Sequence, residues 1–145
     1  MKFADKGHAV IEVALMLPWI VLLFIAVFDF GFYAYSAISV ENAARVAALH
    51  TSSNSHLADD SNTACFYALQ ELQKAANVAG LPSNFSCTGT PLRVTAAAIK
   101  ISGAPASQVT VTYQAVAGIP IPWISGFYSI TRIVSMRQSD ENATP

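Results

Sequence analysis

Charge is what this sequence has least of. Of its 145 residues only 12% are Asp, Glu, Lys or Arg, about half the level usual in a soluble domain. Net charge is −1, and no basic patch stands out. Nucleic acid is therefore excluded as a partner on electrostatic grounds. Catalytic signatures are missing as well. There is no Gly-x-Ser-x-Gly, no HExxH, no glycine-rich turn after a strand, no clustered carboxylates, and only three histidines. The reading is a chain that is not an enzyme and carries no cofactor.

What the sequence does have is apolar length. Residues 7–28 read GHAVIEVALMLPWIVLLFIAVF, and residues 13–28 hold no charge at all. A helix rises about 1.5 Å per residue, so about 20 residues cross a bilayer core. Residues 9–28 meet that length and are read as a membrane-inserted helix. Lys2 and Lys6 outweigh Asp5 ahead of the run, which holds that end in the cytoplasm and sends the remainder outward. A secretory signal peptide is the competing reading, with Ala34-Tyr35-Ser36 as its cleavage site. Its apolar region would be shorter, about 7 to 15 residues.

Two residues inside the run and one at its end invite explanation. Glu12 is a carboxylate in an apolar helix, which costs on the order of 3 kcal/mol on insertion scales. Either it stays wet near the headgroups, or something supplies a cation. Pro18 removes one backbone hydrogen bond within the span and is a candidate kink. Asp29 either marks the outer interface or meets a neighbour's basic group in an assembly.

With Gly7, Glu12, Ala14, Leu15, Leu17, Pro18, Asp29, Phe30, Gly31 and residues 42–45 (Asn-Ala-Ala-Arg) in place, the first third of the chain resembles the TadE-like segment of Tad pilus minor pilins, or pseudopilins. Val13 departs from the family's usual aromatic or leucine, and Phe32 from a frequent basic residue. The resemblance implies cleavage between Gly7 and His8 by a prepilin peptidase. Glu12 then becomes the fifth residue of the mature chain, and an axially shifted copy's new α-amine can pair with it where the dielectric is low. Implied partners are the inner membrane, the major and other minor pilins, and the pilus assembly platform. Implied roles are pilus initiation, tip or filament structure, in adhesion, biofilm formation or secretion. The implied location is the inner membrane as a single-pass protein, then the pilus or periplasm.

Beyond the span the helix has no clear stop. Ala37, Val40, Ala44 and Ala47 fall at helical spacing, so one helix is predicted over residues 9–49, about 60 Å long. Glu41 and Arg45 form an i,i+4 pair on it. Residues 50–63 are polar and aperiodic, a loop in which His50, His56, Asp59 and Asp60 match no metal-binding spacing. Ser61 or Asn62 is the expected N-cap of a helix over residues 64–79. Its apolar stripe is Phe66, Leu69, Leu72 and Ala76, and Gly80 is its stop. Cys65 and Cys87, outward-facing, are a candidate disulfide, the alternative being two buried thiols.

The last third changes period. Strands are predicted over residues 92–101, 108–116 and 127–137, with Val109, Val111, Tyr113 and Ala115 on one face. Between the last two, residues 117–126 (AGIPIPWISG) read as a proline-stiffened loop. Its apolar tip either dips toward the membrane, docks on a partner, or folds back over the core. Asn84-Phe85-Ser86 and Asn142-Ala143-Thr144 are sequons in form only. The predicted fold class is α+β: a long N-terminal helix, a short second helix and a small antiparallel sheet. Residues 1–7 are a leader, 8–50 the N-terminal helix, 51–137 an outward α+β domain and 138–145 a flexible tail.

Overall fold

The computed structural model describes residues 5–75, 81–82, 84–116, 119 and 126–138, with side chains from residue 10 onward. One helix dominates it. Helix α1 (Asp5–Thr51) runs for 47 residues, about 70 Å. It is two helices in its chemistry. From Val10 to Phe30 the large apolar side chains, all but the half-buried Ile25, stand exposed, the pattern of a helix made for an apolar surround. From Ser36 the burial becomes one-sided. Val40, Ala43, Ala44, Ala47 and Ala48 are fully buried at the i, i+3, i+4, i+7, i+8 spacing of a core-facing stripe. Four of those five are alanine, which lets neighbouring backbones approach closely.

A single 3-10 turn (Ser55–Leu57), capped by the Asn54 side chain, leads to α2 (Ser61–Leu72). The cap of α2 is Asp60 rather than Ser61 or Asn62. Its carboxylate accepts the Asn62 N–H at 2.9 Å and the Thr63 hydroxyl at 2.6 Å. The helix therefore begins earlier than residue 64, and it gives way to turns after Leu72. The expected Ala76 and Gly80 lie outside the described residues. The stripe also shifts: Ala64, Ala68, Leu69 and Leu72 are buried, whereas Phe66 is 59% exposed. At about 100° per residue Phe66 sits roughly 200° from Ala64. Helix α2 packs on α1 with alanines of both buried in one core, and Phe66 lies on the opposite side of α2.

Strands β1 (Leu92–Ile101), β2 (Ala104–Val116) and β3 (Phe127–Arg137) form an antiparallel sheet in sequence order. Ser102 and Gly103 both take positive φ, 53° and 84°, the two-residue hairpin turn whose twist matches that of the strands it joins. The turn carries pairing from Ile101↔Ala104 onward, so β2 begins four residues before the predicted 108. Val109, Val111, Tyr113 and Ala115 are buried, as the alternation requires. Burial raises the Tyr113 phenol above its ordinary pKa. Leu92 and Val94 from β1 and Ile130 from β3 complete the inner face. Both helices cover that face, α1 across β2 and β3 and α2 against β1, while Thr95, Thr131 and Ile133 look outward. The result is an α+β layer pair.

The outer edge of β1 is partly closed. The Val94 N–H donates to the Cys87 carbonyl at 2.9 Å, and the Ala96 N–H to the Ser61 hydroxyl at 3.0 Å. Unpaired edge groups are thus given local partners.

Candidate membrane anchor and assembly surface

The anchor is built from residues whose side chains have nothing of their own chain to pack on. Along the most apolar 18-residue window of α1 the mean hydropathy is 2.7 and 0% is buried. The core helix of a soluble protein would be mostly buried, so α1 is a helix long and apolar enough to cross a membrane. Gly7 and His8 lie in its first turn. Glu12 is exposed on the helix among Val10, Ile11, Val13 and Met16. Among the described residues no cation lies against it. Pro18 is accommodated within the helix. An exposed carboxylate on an otherwise apolar cylinder is a polar group awaiting a partner from outside the chain, or water.

Asp29 has a role the sequence reading did not contain. Its Oδ1 accepts the backbone N–H of Ile119 at 3.0 Å, tying the β2–β3 connection to the helix. Around it gather Ala26, Phe30, Tyr33, Phe127, Tyr128 and Ser129, which line a shallow cleft. Tyr33 meets Tyr128 edge-on with ring centroids 5.8 Å apart, and Phe28 leans on Phe32 at 5.2 Å. No local sequence signal announces the Asp29–Ile119 contact. Within the 117–126 loop only Ile119 and Gly126 are described, so the placement of its apolar tip lies outside the described residues.

Further along the helix, two side-chain links fix α1 to the sheet. Glu41 pairs with Arg45 at 3.1 Å and also with Arg132 of β3 at 3.5 Å. The Arg132 contact was not expected. Register places Arg132 opposite Val111 on the helix-facing side of the sheet, where its guanidinium can reach Glu41. At the top of α1, Thr51 Oγ1 lies 2.8 Å from Ser107 Oγ, which lies 2.9 Å from the Ala58 carbonyl. Cys65 and Cys87 are joined as a disulfide, Cα atoms 5.7 Å apart. It fastens α2 to the segment that pairs with β1.

The polar residues of the 50–63 stretch are used structurally. His50 stacks flat on Tyr67 with centroids 3.6 Å apart, and Asp60 caps α2. Among the described residues no three His, Cys, Asp or Glu side chains converge as metal ligands would.

These features define a class: a small α+β domain built on the continuation of an apolar helix that can span a bilayer. Residues 7–49 match the family model of TadE-like proteins, and that range is α1 almost end to end. The match is to the helix and does not extend into the rest of the outer domain. No curated protein matches the chain, and no solved structure does.

Proposed function

We propose that this chain is a minor pilin, or pseudopilin, cleaved after Gly7 and built into a Tad pilus as an initiating, tip or filament subunit. The observation that carries the reading is the division of α1. Its apolar half is left unburied and holds one exposed carboxylate, whereas its second half is committed to the core of its own domain. A helix so divided is stable in lipid and equally stable against copies of itself, because either surround covers the same surface. A motor can then move it from one to the other by exchanging lipid for helix contacts. After cleavage the α-amine of His8 lies about one helical turn from Glu12 in its own chain. An axially displaced copy brings its amine to Glu12 instead, and at low dielectric that attraction offsets the insertion penalty.

The outer domain would then decorate the filament or cap it, in adhesion, biofilm formation or secretion. Its partners would be the prepilin peptidase, the assembly platform, and the major and other minor pilins. Release by signal peptidase near Ser36 fits the fold less well. That cut falls inside a continuous helix, at a residue only 3% exposed.

N-terminal sequencing of protein purified from membranes and from sheared pili tests the reading. A start at His8 in both fractions is the expected result. A start at Met1 makes the chain an uncleaved single-span protein, and a start near Ala37 makes it a released domain. A Glu12→Ala variant should insert into membranes normally but reach filaments in smaller amounts. Equal incorporation would overturn the pairing role.

A further inference from the structure

Where α1 leaves its bare segment, aromatic residues crowd the chain. Phe28, Phe30, Phe32, Tyr33 and Tyr35 fall within eight residues of sequence. Strand β3 begins beside them with Phe127 and Tyr128. Tyr128 packs edge-on against Tyr33, and the Asp29–Ile119 hydrogen bond draws the end of β2 to the same level of the helix. The rim formed in this way is left open: Phe30 is 71% exposed and Phe127 is 59% exposed. Exposed large apolar side chains also occur elsewhere in the domain, at Ile38, Leu49, Phe66 and Ile133; what sets the rim apart is that it adjoins the bare surface of α1.

Its height on the helix says what covers it. From Val10 to Phe28, α1 climbs about 28 Å, close to the hydrocarbon thickness of about 30 Å. The rings that follow therefore fall in the headgroup layer, where aromatic side chains with an apolar body and a polar tip are enriched. The rim is continuous with the bare helix surface below it, with no buried residue between them. Asp29, at that same level, has its carboxylate engaged by a backbone donor instead of facing lipid uncompensated.

We propose that this aromatic collar docks the outer domain on the bilayer, with Phe30 and Phe127 seated in the lipid headgroup region. The domain then rests on the membrane surface at a fixed height and tilt, and does not swing on a stalk. This inference rests on the reading that α1 spans the membrane and goes beyond it by assigning lipid contact to the sheet. Its chemistry is apolar and aromatic, and it requires no particular headgroup.

Depth-dependent quenching by brominated lipids tests it with the full chain in phosphatidylethanolamine/phosphatidylglycerol vesicles. The bromines are carried either near the headgroup or near the acyl-chain end. In a Trp19→Phe, Trp123→Phe background, Phe127→Trp places the probe on the collar, and Phe30→Trp repeats it from the helix side. Phe66→Trp supplies a probe beside the end of α1, about 30 Å further along the helix axis. Native Trp19, kept alone by Trp123→Phe, reports the span itself.

The expected result is a clear loss of emission at 127 and 30 with headgroup-proximal bromine, as their placement among interfacial aromatics requires. Deep bromine should do less there, and Phe66→Trp should not respond. Trp19 should respond most to deep bromine. Trp19 quenched while 127 and 30 behave like 66 overturns the collar and leaves the span standing. Trp19 unquenched overturns both. Protection of 127 and 30 from bromine together with chain-to-chain crosslinks from Phe127→Cys would show a second copy on the collar, and would overturn lipid docking.

Discussion

Asp29 and Ile119, 90 positions apart in sequence, meet through a 3.0 Å hydrogen bond from the Ile119 N–H to the Asp29 carboxylate. The contact makes the last turn before the outer domain a structural junction. A charge-assisted bond of this type contributes about 1.5–3 kcal/mol when well shielded, and partial exposure of Asp29 reduces that. Asp29→Ala should destabilise the full chain in detergent by about 1 kcal/mol, and Asp29→Asn by less, since the amide oxygen still accepts. Hydrogen exchange at the Ile119 amide should accelerate in the alanine variant. Unchanged exchange combined with poorer filament incorporation would return Asp29 to the other role, pairing with a neighbour's cation.

Thr51 and Ser107 are fully buried hydroxyls whose oxygens lie 2.8 Å apart. Each has one proton to give. If Ser107 donates to the Ala58 carbonyl, Thr51 must donate to Ser107, and its contact with the Ala47 carbonyl at 3.1 Å is not a hydrogen bond at that moment. Ser107→Ala strands the Ala58 carbonyl and should cost about 1–3 kcal/mol. Thr51→Val should cost a similar amount. The double variant should cost less than the two summed, because both single changes disrupt one network. Chemical denaturation of the four proteins measures the coupling, and strict additivity would show that the pair does not act as a unit.

The strands were legible in the sequence because their evidence is local. Residues 92–101 and 127–137 alternate or run β-branched between turn residues, and the observed bounds agree. The predicted start of β2 fell four residues late; residues 104–107 (Ala-Pro-Ala-Ser) contain no β-branched residue, and a proline is disfavoured in a central strand. Pro105 in fact sits where β2 has run past the end of β3, opposite Lys100 of β1, and its carbonyl accepts the Gln138 N–H. The alanine face of α1 was readable from spacing. That of α2 was partly misread, since Phe66 is the larger apolar residue but the alanines set how closely the helices pack. Glu41–Arg45 was visible as an i,i+4 pair, whereas Arg132 reaches Glu41 only through the register of β3. The junction at Asp29 depends on tertiary placement, which no window of residues encodes.

Asp60 gives a pH-dependent handle on α2. Hydrogen bonds from the Thr63 hydroxyl first, and then from the Asn62 amide, hold its carboxyl below the ordinary value of 3.8. A depressed folded-state pKa means that the ionised form is favoured by folding. Its stabilisation is present above the unfolded value and is lost as pH falls through the folded one. The N-terminal turn of α2 should therefore loosen below about pH 4, seen as faster exchange at the Asn62 amide. In an Asp60→Ala variant the same amide should exchange quickly at every pH, with no step. A step of equal size in the variant would assign the transition to another acid.

The Cys65–Cys87 bridge closes a separation of 22 residues. In the chain-entropy model a loop of that length is worth about 3 kcal/mol, through restriction of the unfolded chain. The effect should also be directional. Cys87 supplies the carbonyl that pairs with Val94 N–H on the outer edge of β1, so the bridge holds that strip against the sheet while anchoring it to α2. A Cys65→Ser, Cys87→Ser double variant should unfold at a urea concentration lower by about 1–3 M, given slopes of about 1–3 kcal/mol/M for small domains. Exchange at the Val94 amide should rise before that at Val109 or Val111, which lie in the central strand. Membrane insertion should be unaffected, because the bare segment of α1 is remote from the bridge. Reduction of the native protein by dithiothreitol should reproduce both changes. If the variant and the oxidised protein unfold at the same urea concentration, the bridge fastens segments that the core already holds.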